Sequence, residues 1–519
     1  MPINIYNYER EQKQFKENIL AKLPKNWLNT ANLKWEELAK QSIKTANTYL
    51  LDLNDAIEGA IEIGASDNDL INLAVDLVGK VRVMCSEQTT RAGKSQAFNL
   101  HECLEALCIE YGVRYPAEHA RAQILARLND SAWWLRGLRA SLAKRAEGAA
   151  IDAGMVSKRA EVYCSDDTLA RRCSQHGRNA ETLSNIEMMN KDTGEIMKLS
   201  DIAKAGMADH ENRRAELVTR VRGFEELARK SKHKAEFITV TCPSRMHAVT
   251  SDGKQNPKYD KTKPDTAQKF LVQAWARARA QFAKNNIKVY GLRIAEPHHD
   301  ATPHWHLILF YRDDKNTKFA IRKHFREQFI FGDESFENYD AKSKAERIKN
   351  GLKFVSINPR KGSAAGYVLK YVLKNIGGIE KSASDEAEHL TSEGLYPRVE
   401  AWAACWRIRQ FQQIGGHYVS VWRELRRVDE CKLEGLRPAF VKTWKACQKQ
   451  GEQKADWAAY IEGMGGLEVK PRESVLKVDY DLIMGMGRYG ATVLKRVLGV
   501  GERFGKQVAG TNRAEWVAL

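Results

Sequence analysis

Residues 296–310 read Glu296-Pro297-His298-His299-Asp300-Ala301-Thr302-Pro303-His304-Trp305-His306-Leu307-Ile308-Leu309-Phe310. Residues 287–296 and 304–311 are strand candidates, and the seven residues between them form a hairpin connection. Side chains alternate along a strand, so His304 and His306 share one face while Trp305 enters the core from the other. Folding the hairpin back brings the Glu296 carboxylate beside the two imidazoles. The result is a two-His-one-carboxylate set with open coordination positions, suited to a divalent cation that must also hold substrate oxygens. His298 and His299 sit on the loop, where they are held less rigidly, and Asp300 is read as a loop-turning or capping residue.

Working outward, Phe237-Ile238-Thr239-Val240-Thr241 alternates β-branched residues and predicts a strand. A polar loop over 251–264 follows, and Asp265 is expected to cap a helix carrying Phe270, Leu271, Trp275 and Phe282. Downstream, 318–331 is helical by pattern, 352–357 is a strand and 364–374 is helical again. The order is strand, helix, strand, strand, helix, strand and a last helix. That predicts an α+β class fold, a ferredoxin-like split βαββαβ core with a mainly antiparallel sheet and helices on one face. Residues 22–230 are rich in Ala, Leu, Glu, Lys and Arg with apolar spacings of three and four, and the Trp-bearing stretch from 382 is also expected to be helical. At roughly 150 residues per domain, the 519 residues divide into a helical N-terminal region 1–230 suited to DNA recognition, a central domain 231–380, and a mostly helical C-terminal region 381–519.

Lys and Arg number 83 against 66 Asp and Glu, a net charge of +17, which points to a polyanionic partner. No apolar run reaches the 18 or so residues of a spanning helix and the start has no signal-peptide pattern, so a cytoplasmic protein without membrane contact is expected. Nine scattered cysteines without a Cys-x-x-Cys pair fit reduced thiols, and Cys164, Cys173 and His176 match no standard zinc spacing. Gly93-Lys94-Ser95 is not a P-loop, because Gln88 stands where a glycine is required. No nucleotide cofactor is expected, and unwinding falls to another protein.

The tandem Tyr367-Val368-Leu369-Lys370-Tyr371-Val372-Leu373-Lys374 puts two phenols one helical turn apart, each with a lysine three residues on. A nearby cation favours the phenolate, which is then a competent nucleophile. Its approach is strongly basic: between residues 342 and 374 nine Lys and Arg stand against the single acid Glu346. Lys349, Lys353, Arg360 and Lys361 are accordingly assigned to a phosphate backbone, and Gly362, Ser363 and Gly366 allow that backbone to come close.

Taken in order, the Phe237–Thr241 strand, Glu296 with His304-Trp305-His306, and the paired tyrosines resemble the HUH endonuclease superfamily of rolling-circle initiators. Within it, the tyrosines separated by three residues, each followed by lysine, resemble the bacteriophage replication gene A protein family. Similarity is strongest over residues 237–376, with a fainter echo at 163–179. The resemblance implies Mg²⁺ or Mn²⁺ on His304, His306 and Glu296, Tyr367 and Tyr371 as nucleophiles, and Lys370 and Lys374 as their companions. It further implies nicking of single-stranded or supercoiled origin DNA, a 5′-phosphotyrosine link and rolling-circle replication of phage DNA in a bacterial cell. Host helicase and DNA polymerase are the implied partners. A two-tyrosine transposase, a metal-dependent nuclease using water and a non-catalytic origin-binding protein are the alternatives.

Overall fold

The computed structural model describes residues 5–91, 99–207, 209–358, 362–363, 365–366, 371, 395–449, 451, 454–485, 487–490, 493–505, 507–511 and 513–519. The segment Gly93-Lys94-Ser95 lies outside them. The chain forms two compact units. One comprises Met1–Glu161, Ser165–Thr168 and Met484–Leu494, the other Val162–Cys164, Leu169–Ile483 and Lys495–Leu519.

The first unit is built on helices, among them Leu28–Ala39, Ile43–Ile57, Asp67–Arg91 and Ser131–Asp152. In Ser131–Asp152 the spacing Trp134, Leu138, Leu142 repeats every four residues and all three are buried, as one apolar helix face requires. Asp130 caps this helix by accepting from Ala132 N, and Ser42 caps Ile43–Ile57 by accepting from Thr45 N, satisfying donors that the first turn leaves open. The buried Glu147 carboxylate accepts from Ser165 N and from the hydroxyls of Ser165 and Thr168. Burial raises its pKa, and these hydrogen bonds oppose the rise.

The second unit carries the sheets, save that Met484 at the end of β8 and Val493 and Leu494 at the start of β9 belong to the first. In chain order its strands are β1 Glu187–Asn190, β2 Ile196–Lys198, β3 His233–Thr241, β4 Val289–Pro297, β5 Pro303–Arg312, β6 Leu352–Ser356, β7 Phe411–Ile414, β8 Leu476–Met484, β9 Val493–Glu502, β10 Val508–Gly510 and β11 Trp516–Ala518. The main sheet runs β6-β3-β5-β4-β7 with every neighbouring pair antiparallel. Helix Pro264–Lys284 joins β3 to β4, and helices Lys315–Phe329 and Ala341–Gly351 join β5 to β6. Two three-stranded sheets, β11-β1-β2 and β10-β9-β8, complete the α+β architecture.

Several expectations are corrected. Helices cover both faces of the main sheet. Pro264–Lys284 and Lys315–Phe329 bury Leu271, Trp275, Phe325 and Phe329 on the face of Trp305, whose ring meets Phe329. On the other face, His210–Lys230 and the C-terminal tryptophans pack Val221, Phe224, Trp422 and Trp457 with Tyr290, Leu292 and Phe310. The cause lies in β4, where Tyr290, Leu292 and Ile294 are buried on one side and Gly291, Arg293 and Ala295 on the other, as befits an inner strand. β7 adds a fifth strand beside β4. Asp265 is not the cap: Pro264 opens the helix and Asp265 falls in its first turn, where a carboxylate favours the helix dipole. Helices Leu395–Trp406, Val419–Leu425, Pro438–Cys447 and Trp457–Gly463 share the C-terminal region with β7 to β11; the alternation in Leu476–Met484 has the period of a strand, not of a helix.

Candidate active site

Cross-strand register builds the site. Glu296 on β4 lies directly opposite His304 on β5, and Ile294 opposite His306. On the other flank Thr241 of β3 faces His304 and Thr239 faces His306. Residues directly opposed across neighbouring strands share a face, so Glu296, His304, His306 and Thr239 point the same way. One ligand atom from each of Glu296, His304 and His306 lies within 4.8 Å of the others. His304 Nε2 is 3.0 Å from His306 Nε2, and His306 Nε2 is 3.8 Å from Glu296 Oε2. Glu296 and His306 are buried, and His304 partly so. Two imidazole nitrogens and a carboxylate oxygen converging at this spacing are the donor chemistry of a divalent cation site with positions left open.

A ring of neighbours holds these side chains. Thr239 Oγ1 is 3.2 Å from His306 Nδ1. Phe237 stacks on His306 with centroids 5.4 Å apart, and the Tyr371 ring lies 4.2 Å from the His306 ring and 5.3 Å from Phe237. On the far side of His304 the His298 ring is 4.3 Å away, with His247 edge-on to it at 5.2 Å. His247 Nδ1 contacts Asp300 Oδ2 at 2.9 Å, while Asp300 Oδ1 accepts from Thr302 N. Burial alone would raise the Asp300 pKa, but His247 and His298 with the Thr302 amide hold it down at about 2. Ala301 takes a left-handed φ of 67°, costly for a residue with a Cβ. It is pinned where Trp402 Nε1 donates to its carbonyl at 2.8 Å. Tyr163, also at positive φ, donates its amide to His299 O at 3.4 Å.

The structure thus brings Glu296, His304 and His306 together and sets Tyr371 against them. Asp300 turns the loop as its chemistry suggested. Lys349 and Lys353 are exposed. Thr239 faces Lys353 across β6, so Lys353 shares the site's face, two strand spacings or about 10 Å from His306. Tyr367, Lys370, Lys374, Arg360 and Lys361 lie outside the described residues. Ser363 Oγ accepts from Gly366 N at 2.9 Å, at the approach to Tyr371. Arg347, counted in the basic run, is buried: it donates to Thr241 O and Phe329 O, each at 2.7 Å, and serves the fold. Sequence reasoning missed His247 and Trp402, whose neighbours come from distant segments. Thr239 carried a signal in retrospect, as a hydroxyl in a strand otherwise apolar at its centre.

Fold and site define an α+β protein organised around a His-His-carboxylate cluster with a phenol ring beside it. Residues 72–379 match the bacteriophage replication gene A protein (GPA) family, and the chain belongs to that family. It is 34% identical over 382 residues to the replication gene A protein of Escherichia phage 186, covering 73% of this chain and 53% of that protein. The probable replication protein P12 of Pseudoalteromonas phage PM2 is also 34% identical over 382 residues, covering 72% of this chain and 56% of that one. A probable replication endonuclease from a prophage-like region of Salmonella typhimurium is 30% identical over 381 residues, 70% of this chain and 45% of that one. The chain spans about half the length of the curated relatives it matches. No solved structure matches it significantly. Among the described residues, no helix is long and apolar enough to cross a membrane.

Proposed function

We propose that this chain is a site- and strand-specific DNA endonuclease and ligase that nicks a replication origin through tyrosine and initiates rolling-circle replication of phage DNA. The carrying observation is the Tyr371 ring packed on His306 within the Glu296, His304, His306 cluster. The β3-helix-β4-β5-helix-β6 order, with β6 and β5 on either side of β3, supports a ferredoxin-like HUH core within residues 231–380. Family membership and the names of the relatives support replication as the setting.

In this reading the phenol oxygen of Tyr371 or Tyr367 attacks phosphorus in line, the P–O3′ bond breaks, and the phenolic proton passes through solvent to the freed 3′-oxygen. One phosphodiester replaces another, so rejoining needs no external energy. Lys370 and Lys374 favour the phenolate or offset charge on the attacked phosphate. Glu296, His304 and His306 would hold Mg²⁺ or Mn²⁺, which would supply positive charge at the scissile phosphate. Lys349, Lys353, Arg360 and Lys361 bind the neighbouring backbone. With two tyrosines, one can cut again while the other still holds the first end. Origin DNA, a host helicase and a DNA polymerase are the partners, in the cytoplasm of the bacterial host.

The test is incubation of the full chain with labelled single-stranded origin DNA and Mg²⁺ or Mn²⁺, followed by a denaturing gel. A protease-sensitive covalent adduct that prior EDTA prevents is expected. Cleavage with free 5′ ends would replace this reading with a water-using nuclease, and binding without cleavage with an origin-binding protein.

A further inference from the structure

We infer that Thr239 is a positioning residue for the metal centre, accepting from Nδ1–H of His306 in the tautomer that presents the lone pair of its inner nitrogen to the cluster; this rests on the metal reading above. The two nitrogens of His306 face different surroundings. Nε2 points inward, toward His304 Nε2 at 3.0 Å and Glu296 Oε2 at 3.8 Å. Nδ1 points outward to Thr239 Oγ1 at 3.2 Å. A neutral imidazole carries its proton on one nitrogen, and a threonine hydroxyl can donate to or accept from the ring, so it is a cation on Nε2 that requires the proton on Nδ1. With the Thr239 hydroxyl accepting from Nδ1–H, the lone pair lies on Nε2, the atom at the centre of the cluster.

Strand pairing makes this arrangement stiff. Thr239 sits directly opposite His306 in the β3–β5 register, so the hydroxyl is delivered by backbone pairing and not by a mobile loop. The ring is also buried, with Phe237 stacked on it and Tyr371 tilted against it. Turning the ring over would carry Nδ1 away from Thr239 and disturb both contacts. A β-branched residue suits the strand, yet valine would suit it equally well. What the hydroxyl adds over valine is the acceptor. Partners of this kind on a ligating histidine typically change metal affinity by about 10- to 100-fold when removed.

The experiment is Mn²⁺ titration of the metal-free full chain, read by the electron paramagnetic resonance signal of free Mn²⁺, with unfolding of each metal-free protein followed in parallel. Thr239→Val keeps shape and strand preference but removes the hydroxyl, whereas Thr239→Ser restores it. Thr239→Val is expected to bind about 10- to 100-fold more weakly, with Thr239→Ser close to wild type and unfolding little changed. Wild-type affinity in Thr239→Val, or equal weakening in both variants, overturns the positioning role. If wild type lacks a Mn²⁺ site that His304→Ala or His306→Ala removes, the metal reading itself fails and this role with it. Should Thr239→Val not fold, the ¹⁵N imidazole spectrum of metal-free wild type decides, with His306→Gln assigning the resonance. A proton on Nδ1 is expected, and a proton on Nε2 overturns the inference.

Discussion

Replacing Asp300 with asparagine isolates the charge that braces the hairpin loop beside His304. The side chain is buried, its Oδ2 meets His247 and its Oδ1 accepts from Thr302 N. Asparagine can keep the second bond while losing the charged contact. With the pKa lowered from 3.8 to about 2, and about 1.4 kcal/mol per unit, the ionised form stabilises the fold by about 2 kcal/mol at pH 5, below the ordinary histidine range. The sign follows from the direction of the shift: this stability is fully present above the unfolded pKa and is lost as pH falls through the folded one. By pH 3 roughly half of it should be gone. Urea unfolding followed by tryptophan fluorescence reads the effect, since Trp305, Trp402 and Trp422 are buried in the same unit. Asp300→Asn should lower stability at pH 5 by about 2 kcal/mol and converge on wild type toward pH 3. Equal stability at pH 5, or a gap that does not change between pH 5 and pH 3, would refute the reasoning.

Tyr367→Phe and Tyr371→Phe should each leave some nicking while the double change abolishes it, read as adduct on a denaturing gel; full activity in the double variant would remove tyrosine from the mechanism. Replacing both His304 and His306 with alanine should cut cleavage by about a thousandfold or more, from the several kcal/mol a metal contributes, while filter-binding affinity for single-stranded DNA is retained. Lys353→Ala should weaken that affinity for all sequences alike and reduce the slope of log K against log salt by about one; an unchanged slope would take Lys353 off the phosphate path.

Much of the site was legible because its information is local. A His-x-His on a strand shares a face by pleat alone, and a short hairpin returns Glu296 to meet it. The two helices after β3 and β5 followed from their apolar spacing. What stayed hidden depends on segments distant in the chain. β7 reaches the edge of β4 from more than a hundred residues away, so no period in either segment announces the pairing. Arg347 reads as one more surface cation until helix Ala341–Gly351 turns it inward onto two backbone carbonyls. His247 gains meaning only through Asp300, which lies 53 positions on.

Among the described residues β6 is an open edge of the main sheet, with β3 as its neighbour on one side. The outer donors and acceptors of an edge strand are what a strand from another molecule would pair with, and a lysine in such a strand deters that addition because its charge would have to be desolvated. A charge at Lys353 therefore disfavours such pairing as well as facing the site, beside Val355, which is nearly half exposed on the same strand. Lys353→Val would leave two valines on an unprotected edge, and loss of solubility at high concentration would then mimic loss of DNA binding. Lys353→Glu keeps the edge charged while reversing its attraction for phosphate, which makes it the cleaner probe of the two roles.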